Sequence, residues 1–265
     1  MNTGEMRLKV LGARGSLPVS GREFEIFGGA TSCYQLQAGG ETVFLDAGSG
    51  LCLARQEGDK APVILLTHLH LDHILGLGMY PRFSGQGEPV RLYVPAADAR
   101  EAEEKLAGLY SPPFWPLPLT EYAGAPQILP LALTLRIGPV QVTGMEGPHP
   151  GGCRILRLEY GGKKLVYATD IEVTEEIPPE LAAFCEGADL ILFDAQYSAE
   201  EAPGKRGYGH STAEAGLALF EASGARKMRL IHHDPRATDA VLSAREEKLG
   251  CAAVRYARAG EEVLL

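Results

Sequence analysis

Seven histidines punctuate this 265-residue chain, and they are grouped. Three fall in His68-Leu69-His70-Leu71-Asp72-His73, directly after the apolar run Val-Ile-Leu-Leu-Thr. Single ones follow in Gly147-Pro148-His149-Pro150 and Gly209-His210-Ser211-Thr212, and a pair closes the series in Ile231-His232-His233-Asp234. Imidazole suits Zn2+ and similar ions, and a carboxylate adds a harder, negatively charged ligand. A lone histidine is usually a surface group or a satisfied core residue. Four titratable groups within six residues serve no packing purpose, so the hexapeptide is a candidate metal-binding turn.

Such groups must be held by rigid elements. Several apolar runs end at a ligand-type residue: VILLT at His68, KLVYAT at Asp170, LILF at Asp194 and MRLI at His232. Buried strands that each end in His or Asp would gather those groups along one edge of the fold. The strand-type runs are Leu8–Leu11, Cys33–Gln37, Thr42–Leu45, Val63–Thr67 and Val90–Val94 in the first half. Leu131–Ile137, Val140–Val142, Ile155–Glu159, Lys164–Ala168, Leu190–Phe193 and Met228–Ile231 continue in the second. Asp98 with Glu101 forms a capping box that opens a helix through about Leu109, and Ser211 with Glu214 repeats it before Ala213–Ala222, ending at Gly224. Thr238 caps a third helix that stops at Gly250. Strands first, then strands alternating with helices, predict two stacked sheets covered by helices.

Bulk composition narrows the function. Apolar residues make up 45% and charged residues 22%, enough for a substantial core. The formal net charge of −9 argues against a protein that grips nucleic acid through dense Lys/Arg surface, yet leaves room for a small anionic substrate neutralised by metal ions. Five cysteines, odd in number and without a C-x-x-C pair, indicate neither a disulfide framework nor a cysteine zinc site. The amino terminus has no apolar leader and no run approaches the ~20 residues of a membrane span. The expectation is one cytoplasmic domain over residues 1–265, with the Pro-rich stretch Ser111–Pro118 as an ordered loop inside it.

The ordered set His-x-His-x-Asp-His, then His149, Asp170 and His232, resembles the metallo-β-lactamase superfamily, and the match covers nearly the whole chain. GARGSLP at Gly12–Pro18, GGATSC at Gly28–Cys33, YATD at Tyr167–Asp170 and GHSTAE at Gly209–Glu214 are similar to its phosphodiesterase branch. Ala30 and Tyr208 stand where relatives often carry Asn and Trp. The resemblance implies an α+β, four-layer αββα sandwich. It places His68, His70 and His149 on one metal and Asp72, His73 and His232 on the other, with Asp170 bridging. It prefers His232 to His233, which then becomes a neighbouring or surface group. The implied cofactor is a pair of Zn2+ ions, with Mn2+ or Fe2+ as alternatives, sharing a hydroxide that attacks phosphorus. His210, left without a ligand slot, becomes the catalytic histidine, as general acid or as a donor to a non-bridging phosphoryl oxygen, with Asp72 the second candidate for proton handling; the plain alternative is a helix-start histidine packed near the site. Asp46 and Asp194 either orient ligand imidazoles or serve as plain strand-end turns.

The expected reaction is hydrolysis of a small or cyclic phosphodiester. The alternatives are hydrolysis of another ester, a thioester or a lactam on the same fold, and a metal-binding sensor without catalysis. A di-iron oxygen-reducing site is opposed by His70, where such relatives usually carry Glu. Folded nucleic acid is disfavoured as a partner, because Ala97–Glu121 carries Asp98, Glu101, Glu103, Glu104 and Glu121 against Arg100 and Lys105. No membrane partner is expected, and a homodimer is allowed. Pro112-Pro113-Phe114-Trp115-Pro116 either packs on the core or forms an aromatic wall over the metals.

Overall fold

The computed structural model describes residues 4–55, 60–173 and 176–265. β1 (Met6–Gly12), β2 (Cys33–Ala38) and β3 (Glu41–Leu45) pair antiparallel, and the β2–β3 turn uses Gly39 and Gly40, both at positive φ. β4 (Val63–Leu65), β5 (Arg91–Val94) and β6 (Gln127–Pro130) then add parallel to β3. A second sheet begins with antiparallel β7 (Thr134–Ile137), β8 (Val140–Gly147), β9 (Cys153–Tyr160) and β10 (Lys163–Ala168). β11 (Leu190–Asp194), β12 (Met228–Ile231) and β13 (Val254–Tyr256) continue it in parallel. The chain finally returns β14 (Glu262–Leu264) to the first sheet beside β1.

The helices are α1 (Leu71–Ile74), α2 (Ala99–Ala107), α3 (Pro179–Cys185), α4 (Ala213–Ser223) and α5 (Asp239–Lys248). Three apolar layers separate four structural ones. Leu8, Leu36 and Val43 meet Leu158, Leu165 and Leu192 between the sheets. Phe44, Ile64 and Leu92 meet Ala102 and Leu106 of α2 on one outer face. Val166, Ile191 and Leu230 meet Leu181, Leu219 and Leu242 of α3, α4 and α5 on the other. This is the expected αββα sandwich, in which each sheet is buried on both faces, so its central strands read as continuous apolar runs. The five cysteines are free, and among the described residues no helix is long and apolar enough to cross a membrane.

Some boundaries differ from the sequence reading. Leu131–Ile137 is not one strand. The chain leaves β6 at Pro130, buries Leu131 between the sheets and starts β7 only at Thr134, so this short apolar run carries the crossing from one sheet to the other. β6, β13 and β14 give no clear sequence signal, because they are three or four residues long and the last is an edge strand with a single buried residue. Ser211 does not cap α4. Thr212 does, its hydroxyl accepting from Ala215 N, while the Ser211 hydroxyl donates to Ile171 O and accepts from Val173 N. The α2 box holds: Asp98 accepts from Glu101 N at 2.9 Å, and Glu101 reaches back to Ala97 N at 2.6 Å. Thr238 caps α5.

β3–β6 and β10–β13 are parallel sets, so within each sheet their carboxyl ends lie along one edge. Asp46 follows β3, His68 follows β4, Asp170 follows β10, Asp194 ends β11 and His232 follows β12. Among the described residues the non-glycine residues at positive φ are Ser16, Asp46, Asp170 and His232. A non-glycine side chain pays ~1–2 kcal/mol to adopt that left-handed conformation, so the surrounding packing must hold these bends in place.

One such clamp is Arg14, wholly buried on the loop after β1. Its guanidinium donates to Gly28 O, to Asp234 O at 3.0 Å and to Ala237 O at 2.8 Å. The main chain alongside is zipped to the strand end: His233 N donates to Ala13 O and Gly15 N to His233 O, both at 2.9 Å. Burial pulls the Arg14 pKa down to about 10, against the carboxylates of Asp239 and Asp234, and the group stays charged. Arg14→Met would remove the guanidinium donor from Gly28 O, Asp234 O and Ala237 O, of which Asp234 O still accepts from Ala237 N. It is expected to lower unfolding free energy by about 3 kcal/mol, read as a shift of the urea midpoint; an unchanged midpoint would show that the clamp is dispensable.

Candidate metal centre

The strand ends bring the histidines of both sheets together. His68, His70, His149 and Asp170 can each offer one ligand atom within 4.8 Å of all the others, and so can Asp72, His73 and His232. Asp170 lies between the groups, wholly buried. One of its oxygens is 3.4 Å from His68 Nε2 and 3.8 Å from His149 Nε2, and the other is 3.2 Å from His73 Nε2 and 3.4 Å from His232 Nε2.

Four of the rings are fixed by what their other nitrogen does. His73 Nδ1 donates to Asp46 Oδ2 at 2.7 Å, His149 Nδ1 to Gly209 O at 3.0 Å and His232 Nδ1 to Gln196 Oε1 at 3.0 Å. The Thr67 hydroxyl gives its proton to Asp46 and can accept from His68 Nδ1 at 3.1 Å. In the neutral tautomers these bonds select, every Nε2 presents a lone pair to the centre. Those lone pairs face one another or carboxylate: His73 Nε2 is 3.4 Å from His232 Nε2, and His232 Nε2 is 3.0 Å from Asp72 Oδ2. His68 Nε2 is buried and has no hydrogen-bond partner. A cluster of converging acceptors needs positive charge, and the all-imidazole and carboxylate donor set fits a divalent cation.

The proton equilibria carry the same message. Burial depresses the His73 imidazole, but Asp170, Asp72 and Asp46 outweigh it and raise its pKa well above the usual value. Burial likewise opposes His232, which Asp170, Asp72 and Asp194 raise to about 9. His68 also faces Asp170, but burial and the neighbouring His73, His70 and His149 imidazoles outweigh that carboxylate and push its pKa well below the usual value. Burial opposes ionisation of Asp170 too, yet His232, His73 and His68 hold it far below the carboxylate range. Protons and metal ions compete for the same lone pairs, so sites that retain a proton this strongly are also sites of cation demand.

His210 sits at the margin of both groups. Its Nδ1 is 2.8 Å from Asp194 Oδ2 and 4.0 Å from Asp170 Oδ2, and its ring stacks on His232 with centroids 4.6 Å apart. A third grouping of ligand-type atoms combines Asp170, Asp194, His210 and His232. His233 turns away: it is buried against Phe27 and Tyr256, donates from Nε2 to Ala257 O, and is pushed by burial and Arg14 down to about 3. It is therefore no surface group. Asp46 accepts from Thr67 N, His73 Nδ1 and Tyr167 Oη, so it orients a cluster imidazole and also closes a turn. Asp194 does the same for His210 while accepting from Ser211 N and Gln196 N. Trp115 packs edge-on to Tyr110 and donates to Tyr122 Oη, so of the two readings of that segment it follows core packing, while Phe114 is exposed.

Several supporting residues are not evident from sequence. Gln196 ties His232 to Ser16 Oγ, and Ser16 N donates to Asp72 Oδ2 at 2.7 Å, closing a loop around the second group. Ser16 lies in the GARGSLP motif and Gln196 two residues beyond Asp194, so motif position was the available signal. Two glycines are required by close approach: a Cβ on Gly15 would fall 2.4 Å from His232 Nδ1, and one on Gly209 would fall 2.0 Å from His149 Nδ1.

The chain is similar to known proteins in sequence and in fold. The chain is 26% identical over 243 residues to the probable metallo-hydrolase YhfI of Bacillus subtilis, covering 86% of each chain. It is 28% identical over 257 residues to ribonuclease Z of Bradyrhizobium sp., covering 77% of this chain and 84% of that one. The crystal structure of the metallo-beta-lactamase fold protein YhfI superposes with a TM-score of 0.76 at 22% identity, covering 98% and 99% of the two chains. A diphosphatase of the PhnP family superposes with a TM-score of 0.70 at 19% identity, covering 98% and 97%. The family model for the beta-lactamase superfamily domain matches residues 42–233, a span that begins in β3 and ends at His233, and the chain therefore belongs to the metallo-hydrolases of that superfamily.

Proposed function

We propose that the protein is a phosphodiesterase for a small or cyclic phosphodiester, using two divalent ions, with Zn2+ favoured by the imidazole-rich donor set. His68, His70 and His149 would hold one ion, Asp72, His73 and His232 the other, and Asp170 would contact both through its two oxygens. When bound, such a pair lowers the pKa of water and offsets charge developing on phosphoryl oxygens. The observation that carries the phosphodiester reading is His210, held by Asp194 beside the cluster while both ligand trios are filled without it. With Nδ1 engaged, Nε2 is the atom free to deliver a proton to a departing alkoxide, a poor leaving group that needs one. Ser16 N and Gln196 hold Asp72 and His232 from the side of the first loop, so the second trio keeps its shape as charge moves. The similarity to ribonuclease Z and the fold shared with a PhnP-family diphosphatase support phosphoryl chemistry over lactam or thioester hydrolysis. The acidic surface of α2 supports a small substrate over a folded RNA. Domain extent is read as one unit over residues 1–265, since β14 at the carboxyl end pairs with β1 at the amino end.

Hydrolysis of bis-p-nitrophenyl phosphate by protein reconstituted with Zn2+ or Mn2+ tests the reaction class. Turnover of thioesters or lactams with none of this diester would replace it. Asp170→Ala is expected to keep the fold, lose about one metal equivalent by elemental analysis and lose nearly all turnover; two tightly held ions with normal activity would remove the shared-ligand assignment. His210→Ala is expected to retain both ions while turnover drops by roughly 10²–10⁴-fold. Metal loss in proportion to activity would instead make His210 a ligand, in the grouping it forms with Asp170, Asp194 and His232.

A further inference from the structure

His210 is also a wall of a cavity of about 370 Å³ that lies outside both ligand trios. Its other walls come from three elements: Glu172 and Val173 after β10, Ala202 to Arg206 after β11, and Thr212 to Ala218 at the start of α4. We propose that this cavity is the leaving-group subsite, and that it takes an alcohol of sugar or nucleoside size bearing a further anionic substituent.

The inference rests on the phosphodiesterase reading and follows from it. In hydrolysis, the oxygen of water forms the new P–O bond and releases its proton to solvent. The ester P–O bond breaks with its electron pair on the departing oxygen, which takes the proton from His210. That oxygen must lie within hydrogen-bond reach of His210, about 2.6–3.2 Å. The carbon skeleton attached to it must then occupy space adjoining His210, and this cavity is such a space. Its volume falls within the range of small-molecule sites, roughly 300–1,000 Å³.

The walls specify the occupant. Val173, Ile177, Ala202, Ala215 and Ala218 offer an apolar surface for a carbon skeleton. Lys205 places a cation on this loop, next to Arg206, which already has an interaction of its own. Lys205 is half-buried, and its ammonium lies 5.1 Å from the Tyr208 ring centroid and 5.9 Å from that of Tyr197, which limits where it can swing. Two acids also line the cavity. Glu172 spends its carboxylate on Gly207 N and Gly209 N, each at 2.9 Å, so it organises the loop. Glu214 lies in the first turn of α4 and lines the same cavity. An anionic group at the Lys205 end would gain a charge-assisted hydrogen bond while the uncharged skeleton lies against the alanines. Gly209 carries the carbonyl that orients His149, so the loop that would grip the leaving group is also tied to the ligand cluster.

The test uses the full-length, metal-reconstituted protein and two chromogenic diesters. These are methyl 4-nitrophenyl phosphate and its analogue with a carboxylate on the departing ring. Wild type is expected to show a lower KM for the carboxylated diester. Lys205→Ala is expected to raise the ratio of the two KM values, carboxylated over plain, by about 10-fold or more, with Lys205→Glu raising it further. Ala202→Phe, which fills the cavity from its half-exposed rim, is expected to raise both KM values together. A KM ratio indifferent to Lys205, or kinetics indifferent to Ala202→Phe, overturns the subsite while leaving the phosphodiesterase reading intact. Wild-type turnover of neither diester overturns both.

Discussion

Asp170 is a wholly buried carboxylate placed where two sheets meet, with four imidazole nitrogens 3.2–3.8 Å from its oxygens. Neither the rings nor the carboxylate would be tolerated there alone. The lone pairs repel, and an unpaired buried charge is costly. Positive charge at the centre resolves both problems, whether it is carried by protons or by a divalent cation. The architecture around this point can be understood as what is needed to keep the acceptors converging in either state.

Three kinds of restraint supply that stiffness. Parallel strands deliver Asp46, His68, Asp170, Asp194 and His232 to the sheet edges, so the positions of the site residues follow from the hydrogen-bond registers of buried strands. Left-handed bends at Asp46, Asp170 and His232 then turn the side chains off the strand axis into the cleft. These bends persist because each is over-determined: Asp46 by four donors, Asp170 N by Asp194, and His232 by Gln196 together with the β-bridge between Arg14 and His233. Finally, a ring of carbonyls and carboxylates fixes the tautomer of each imidazole, which decides the nitrogen that faces the centre.

His210 differs from the other cluster histidines in its position. It shares their strand-end neighbourhood but is held from outside by Asp194, stacks on His232, and opens onto a separate cavity. That placement gives one residue contact with both the proposed ion site and the proposed home of the departing group. It also gives the loop from Ala202 to Gly209 a double duty, since its backbone orients His149 while its side chains line the cavity. Relatives built on the same metal core could differ in substrate by changing this loop, whose side chains are free of the ligand constraints that fix the strand ends.

The sequence by itself determined the chemistry and the layers. The hexapeptide His68–His73 is informative because ligand types at that density have no packing use, and strands buried on both faces announce themselves as continuous apolar runs. Tertiary structure decided the rest, for reasons of distance. Position at the strand end favours His232 over His233 in the sequence; the left-handed bend at His232 and the apolar pocket of Phe27 and Tyr256 are what send one ring into the centre and the other away. Motif position draws attention to the neighbourhoods of Arg14, Gln196 and Tyr167 but does not say what they support, because each has partners more than 30 positions away that only folding brings near. The stretch Leu131–Ile137 read as one strand because apolarity is all that periodicity can see in seven residues. The sheet each half joins was settled by the pairing of β6 with β5 and of β7 with β8, and such long-range pairing is not encoded in any single segment.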